Sequence, residues 1–177
     1  VHLVVFRLLL GIVDQGAHAN DEHKEMPMTA DTGFHESLLS QLDLKDFPPQ
    51  KRTIGTTIIG NLDEAGYLQR DISAMVDDLA FTQGVTTTVA EIEQMLKVVQ
   101  SFEPAGVAAR NLQECLILQL KRTAPSPSVK LAITILDRCF EDFSKKHYDK
   151  ILKRTHSEED DLREAINEIL KLNPKPG

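Results

Sequence analysis

The stretch TVAEIEQMLKVVQSFEPAGVAARNLQECLILQL, residues 88–120, contains the clearest folding signals in the chain. Thr88 and Glu91 have the spacing of a capping box, which is typical of a helix N-terminus. The apolar residues that follow recur every three or four positions, as expected for a helix with one buried face: Ile92, Met95, Leu96 and Val99. This part of the stretch therefore predicts an amphipathic helix.

The centre of the same stretch predicts a turn. Pro104 cannot continue a helix, and Gly106 permits a positive φ. Asn111 and Glu114 then form a second, box-like start signal. It precedes three leucines that share one helix face, Leu112, Leu116 and Leu120. Residues 88–120 therefore predict a helix, a fixed turn and a second helix.

Helical periodicity continues on both sides of this stretch. Asp71 is a good N-cap for one further helix, and Ser157 with Asp160 is expected to open the last one. The additional predicted helices cover residues 35–44, 51–61, 72–80, 131–143 and 157–172. No segment alternates with a period of two, so we predict an all-α fold without a sheet. Its predicted core includes Leu38, Leu42, Ile92, Leu96, Leu112, Leu116, Ile166 and Ile169.

Proline and polar residues divide the chain. Pro125 and Pro127 favour two small helical subdomains, residues 34–122 and 123–177, joined near residues 122–127. Residues 1–33 are predicted to be an irregular leader. Its apolar run Val1 to Val13 is too short to cross a bilayer and is a poor secretory signal, and Asn20 to Gly33 is interpreted as a polar linker.

Composition excludes several classes of protein. The 177 residues include 20 Lys and Arg against 27 Asp and Glu, a formal charge of -7, which argues against a domain that mainly grips phosphates. The two cysteines, Cys115 and Cys139, form no zinc-ribbon motif and require no oxidising compartment. We therefore expect a cytoplasmic protein without a membrane partner.

Residues that could carry out catalysis are missing from the pattern. No nucleophile elbow, phosphate-binding glycine loop or His-Glu-x-x-His motif is found, so we predict no enzymatic activity and no cofactor. His18 and His23, beside Asp21 and Glu22, are interpreted as solvated linker residues, and no metal is expected. Cys115 is interpreted as a buried structural residue.

Three segments together resemble a known family. They are IGNLDEAGYL at residues 59–68, VQSFEPAGVAARNLQECLILQL at residues 99–120, and ILKLNPKPG at residues 169–177. Their letters, order and gaps are similar to the core-binding region of the bacterial sigma-54 transcription factors. The resemblance covers about residues 34–177. It implies an all-α domain that docks on core RNA polymerase, in a holoenzyme that waits for an ATP-driven activator.

The sequence departs from that family at both ends. Residues 1–19 do not resemble the activator-responsive segment, and the sequence stops at Gly177, where the family continues into a promoter-reading helix-turn-helix. Binding of promoter DNA and response to the activator are therefore expected only of a full-length parent.

Two regions are predicted to contact polymerase. The first is the turn between the two best helices, whose candidate residues are Glu103, Pro104, Gly106, Val107, Arg110 and Asn111. The alternative is that this turn only orients two helices, with Arg110 paired internally. The second is a basic helix or turn, with candidates Lys145, Lys146, Lys150 and Arg154. The alternative there is a solvated helix face.

Two other functions remain open from the sequence alone. Residues 72–80 and the helix from Val89 have the order of a DNA-binding helix-turn-helix, but Glu91 and Glu93 would face phosphates, and the intervening turn is long. The other alternative is a helical scaffold for some different protein partner.

Overall fold

The computed structural model describes residues 30–177, with side chains from Gly33 onward. The apolar run Val1 to Val13 and the four candidate metal ligands of the leader lie outside the described residues. Within residues 30–177 the chain forms nine helices and no strand. They are α1 (Ala30–Asp43), α2 (Pro49–Gly60), α3 (Ile72–Gln83), α4 (Val89–Val99), α5 (Leu112–Arg122), α6 (Pro127–Arg138), α7 (Phe140–Ser144), α8 (Tyr148–Thr155) and α9 (Glu159–Leu170). The all-α prediction is confirmed.

Several helix ends follow the sequence signals. The Asp71 carboxylate accepts a hydrogen bond from the Ser73 N–H at 2.8 Å and so caps α3. Thr88 and Glu91 form the expected reciprocal capping box at the start of α4. At α5, Asn111 accepts from the Glu114 N–H at 2.9 Å. Side-chain oxygens satisfy backbone donors that a helix leaves unpaired at its start, which fixes where each helix begins.

Three local predictions were wrong. Helix α1 begins at Ala30, so the last four residues of the predicted linker are helical. The helix predicted over 131–143 is interrupted at Cys139, whose φ of -126° ends α6. Ser157 does not cap α9. Glu158 occupies that position without a side-chain hydrogen bond, and the Ser157 hydroxyl lies 2.7 Å from the Thr155 hydroxyl.

Two apolar cores organise the helices. Helices α1 to α4 surround the first core, in which Leu38, Ile58 and Ile92 are fully buried. Helices α5 to α9 surround the second, in which α6 packs against α5 and α9. Helix α5 was expected to belong to the first subdomain, but its residues Leu112, Leu116 and Leu120 lie in the second core. The domain division near residues 122–127 stays a prediction, and the membership of α5 favours a division before Leu112.

Predicted core residues are buried with one exception. Leu38, Leu42, Ile92, Leu96, Leu112, Leu116 and Ile169 are each at most 3% exposed. Ile166 packs against the second core but is only partly buried. No helix in residues 30–177 is long and apolar enough to span a membrane.

Candidate partner-binding site

The turn between α4 and α5 has a tightly fixed backbone. Gly106 has a φ of +92°, and a Cβ at this position would lie 2.8 Å from the Gln119 Nε2 and 2.9 Å from the Cys115 Sγ. Ala108 also adopts a positive φ of 58°. Left-handed backbone is costly for residues with a Cβ, so Gly106 is required both by conformation and by space.

Three distant segments meet at this turn. The Ala108 N–H donates to the Gly66 carbonyl at 2.8 Å, and the Leu68 N–H donates to the Ala109 carbonyl at 2.9 Å. The chain end joins them, because the Gly177 N–H donates to the Ala65 carbonyl at 3.0 Å. The segments around residues 59–68, 99–120 and 169–177 are thus brought together by direct backbone hydrogen bonds. We call this meeting point the junction.

Side chains complete the junction. The Gln119 amide donates to the Asn173 carbonyl at 2.6 Å and accepts from the Asn173 N–H at 2.9 Å. Tyr67 and Cys115 are buried together with Ala109. Burial raises the pKa of the Cys115 thiol, so this thiol stays protonated and poorly nucleophilic near neutral pH. The junction therefore joins the two cores through backbone and side-chain hydrogen bonds.

Arg110 is paired with Glu114, as one of the two alternatives had it. Its Nε and Nη2 each lie 3.1 Å from a Glu114 carboxylate oxygen, and its own N–H donates to the same carboxylate at 2.8 Å. Burial alone would raise the pKa of Glu114, but the hydrogen bonds from Arg110 and Gln100 outweigh it and lower that pKa. The Arg110 side chain is still 52% exposed, so pairing leaves half of it accessible to a partner.

The other turn candidates differ in accessibility. Glu103 is exposed and forms an ion pair with Arg122, while its backbone is held by the Gln41 amide through two hydrogen bonds of 2.8 Å. Asn111 is exposed at the cap of α5, and Pro104 is partly buried. Gly106 and Val107 are buried, so any part they play in binding would come through the shape of the turn.

A groove of about 930 Å³ lies beside the turn, between α4 and α5. Arg110 and Asn111 line it together with two lysines that sequence reasoning missed, Lys97 and Lys121. Both lysines occupy polar positions of amphipathic helices, which in sequence look like any solvated residue. Exposed cations thus line the groove on both sides, together with the carboxylates of Glu114 and Asp137.

The basic segment is partly neutralised within the protein. Lys145 forms an ion pair with Glu141, and the Arg154 Nη1 lies 2.9 Å from the Asp142 Oδ2. The Arg154 hydrogen bond is the main reason that the pKa of Asp142 is lowered. Lys146 and Lys150 are exposed and form no ion pair with any described residue. Of the four predicted contact residues, these two are the ones without an ion pair among the described residues, although the charge of Lys150 helps to lower the pKa of Glu141 and of Asp142.

Metal and DNA binding gain no support from the described part of the chain. No group of three or more potential metal ligands occurs in residues 30–177. Helix α4 would be the recognition helix of the helix-turn-helix alternative, and it uses Glu91 in its capping box and leaves Glu93 exposed. A carboxylate on the outer face would oppose approach to a phosphate backbone.

Comparison with known proteins gives consistent matches. The family model described as "Sigma-54 factor, core binding domain" matches residues 24–177. A protein named RNA polymerase sigma-54 factor from Azorhizobium caulinodans is 34% identical over 164 residues, covering 92% of this chain and 30% of that protein. A protein of the same name from Pseudomonas aeruginosa is 32% identical over 164 residues, covering 90% of this chain and 32% of that protein. Another from Vibrio anguillarum is 37% identical over 145 residues, covering 81% of this chain and 29% of that protein. The chain spans about a third of the length of these relatives.

Proposed function

The chain belongs to the sigma-54 factor core-binding-domain family, and from this premise we propose that it docks a transcription initiation factor on core RNA polymerase. The observation that carries the proposal is the family match over residues 24–177, which includes all three segments that meet at the junction. In this role the chain binds and positions a larger machine and performs no chemical step. We propose that promoter DNA and the ATP-driven activator are bound by other regions of a sigma-54 factor, outside the core-binding domain.

We further propose which surfaces make the contact. The exposed residues of the turn are Glu103, Arg110 and Asn111, and they are held on a backbone whose path is fixed by buried Gly106. A preorganised turn loses little conformational entropy on binding, which favours affinity. Exposed Lys146 and Lys150 provide a second, electrostatic contact to an acidic polymerase surface, of the kind found at interface rims.

Gel filtration tests the docking function. Purified chain mixed with core RNA polymerase at micromolar concentration is expected to elute with the polymerase. Adding an excess of a full-length sigma-54 factor should displace it, which controls for adhesion to other surfaces. Absence of co-elution at these concentrations would contradict the proposal. Duplex DNA binding with a steep salt dependence would instead favour the helix-turn-helix alternative.

A further inference from the structure

A second groove separates α8 from α9. It has a volume of about 320 Å³ and is lined by apolar side chains from both helices, Tyr148 and Leu152 on α8 and Ile166 on α9. Tyr148 is 38% exposed, and Leu152 and Ile166 are only partly buried. Ile166 belongs to the apolar stripe that predicts a fully buried face, so the fold leaves open a position that its sequence would bury.

Leu170 is a further exposed apolar side chain on α9. Leu170 lies one turn beyond Ile166, is 37% exposed and borders a neighbouring depression. Residues four apart lie above one another on a helix, so Ile166 and Leu170 form one stripe. A stripe beside a groove between two helices suits the apolar face of a third helix, which inserts anchors at similar spacing.

The charged side chains at the rim of the α8–α9 groove indicate what kind of partner it favours. Asp149 and Glu159 line the groove, and neither forms an ion pair with any described residue. Arg163 is the one cation among the lining residues, and it donates to Asp160 at 3.4 Å. The lysines of α8 are not among the lining residues. The rim is therefore acidic, and it favours a partner that carries positive charge next to its apolar residues.

We propose that the α8–α9 groove receives an amphipathic helix of core RNA polymerase that carries lysine or arginine beside its apolar anchors. This inference rests on the proposed docking function. Apolar side chains of that helix fill the space between Tyr148, Leu152 and Ile166, and its basic residues pair with Asp149 and Glu159. The groove thus adds a contact that is separate from the turn and that uses residues of α8 other than the lysines of the basic segment.

Titration of fluorescently labelled chain with core RNA polymerase tests the groove. The first variant, called the rim variant, is Asp149→Lys with Glu159→Lys. Its matched control is Glu36→Lys with Asp77→Lys, which changes two exposed carboxylates on helices α1 and α3. The second variant is Tyr148→Ala, with Phe81→Ala as its control because Phe81 is 88% exposed on α3. Thermal unfolding of each variant checks that the fold is intact.

The rim variant is expected to bind about tenfold more weakly at low salt, with a smaller loss at high salt, because charge pairing is screened. Tyr148→Ala should lose a similar factor at both salt concentrations, because apolar burial is insensitive to screening. Wild-type affinity in both folded groove variants would overturn the groove proposal and leave the docking function intact. Failure of the wild-type chain itself to bind would overturn the docking function and this inference with it.

Discussion

The Tyr67 hydroxyl donates a 2.7 Å hydrogen bond to the backbone carbonyl of Pro174, which lies 107 positions further along the chain. This bond joins a loop of the first core to the segment that follows α9 of the second. Tyr67 is 7% exposed, so the hydroxyl has little access to water as a substitute partner. The bond therefore helps to fix how the two cores are held at the junction.

Replacing Tyr67 with Phe should lower the free energy of unfolding by about 0.5–1.5 kcal/mol, the usual net contribution of such a hydrogen bond. Urea denaturation followed by circular dichroism measures the change. Tyr148→Phe is the matched control because it also removes one hydroxyl, but from a side chain that is 38% exposed. This control should change the free energy of unfolding by less than about 0.5 kcal/mol. Equal stability of the two variants would show that the Tyr67–Pro174 bond contributes nothing.

Gly66 should tolerate a side chain poorly. Its φ is +83°, and an added Cβ would lie 3.0 Å from the Gly177 N and 3.2 Å from the Pro176 Cγ. Gly84 has a φ of +63° but open space around it. Gly84→Ala should thus lower the free energy of unfolding by about 1–2 kcal/mol, from backbone strain alone. Gly66→Ala should lower it by about 1–3 kcal/mol more, because the added Cβ is also crowded by its neighbours. Chemical denaturation of both variants measures the difference, and equal losses would mean that the chain end moves away freely.

The Arg110–Glu114 pair should make stability depend on pH. The pKa of Glu114 is lower in the folded protein than its ordinary value of 4.5, because hydrogen bonds outweigh burial. The carboxylate therefore stabilises the fold fully above about pH 4.5, and the contribution is lost as the pH falls through the lower, folded-state pKa. Glu114→Gln should cost about 1.5–3 kcal/mol at pH 7.

Urea denaturation across a pH series tests this expectation. The difference between wild type and Glu114→Gln should be constant near neutral pH and should shrink in acid, where the wild-type carboxyl is also neutral. Exposed Glu64, whose side chain forms no hydrogen bond among the described residues, provides the control Glu64→Gln. A difference that persists unchanged into acid would contradict the role of the carboxylate charge.

Truncation in the second core should affect binding only through unfolding. Leu116 is fully buried, and Leu116→Ala should lower the free energy of unfolding by about 2–5 kcal/mol. Leu44→Ala is the control, because Leu44 is 85% exposed. Thermal denaturation measures stability, and polymerase binding is measured below the melting temperature of each variant. If folded Leu116→Ala bound polymerase markedly more weakly than wild type, Leu116 would have a role beyond packing.

The sequence predicted the helices where local chemistry decides them. Thr88 and Asp71 cap as expected because a cap involves residues only two or three positions apart. The break at Cys139 was missed because Leu136, Cys139 and Phe143 keep helical spacing through it, so periodicity gives no sign of it. Local patterns describe which residues are apolar, and they do not describe where the backbone changes direction.

The sequence predicted the junction only in part. The three segments could be recognised by resemblance, but their contacts could not, because the Gly66–Ala108 and Tyr67–Pro174 bonds use backbone carbonyls that carry no residue-specific signal. The sequence also left two interpretations of Arg110 open, because spacing alone does not show whether two side chains pair. Glu114 lies four positions away at the start of a helix, and an arginine at this position can either pair with that glutamate or point outward without a partner.

The two unpaired lysines of the basic segment should contribute to polymerase binding by charge alone. Lys146 and Lys150 are exposed and have no ion pair among the described residues, whereas Lys145 and Arg154 are held by Glu141 and Asp142. Lys146→Glu with Lys150→Glu should weaken binding about three- to tenfold at low salt, because rim charges each contribute up to about 1 kcal/mol.

The matched control for that pair is Lys45→Glu with Lys130→Glu, which changes the net charge by the same amount at exposed sites on other parts of the surface. Binding is measured by anisotropy at two salt concentrations. A local contact predicts that only the Lys146 and Lys150 variant is weakened and that salt narrows the gap, because exposed charges are screened over about 10 Å at 0.1 M. Equal weakening in both variants would instead mean that polymerase senses the overall charge of the chain and makes no specific contact with this segment.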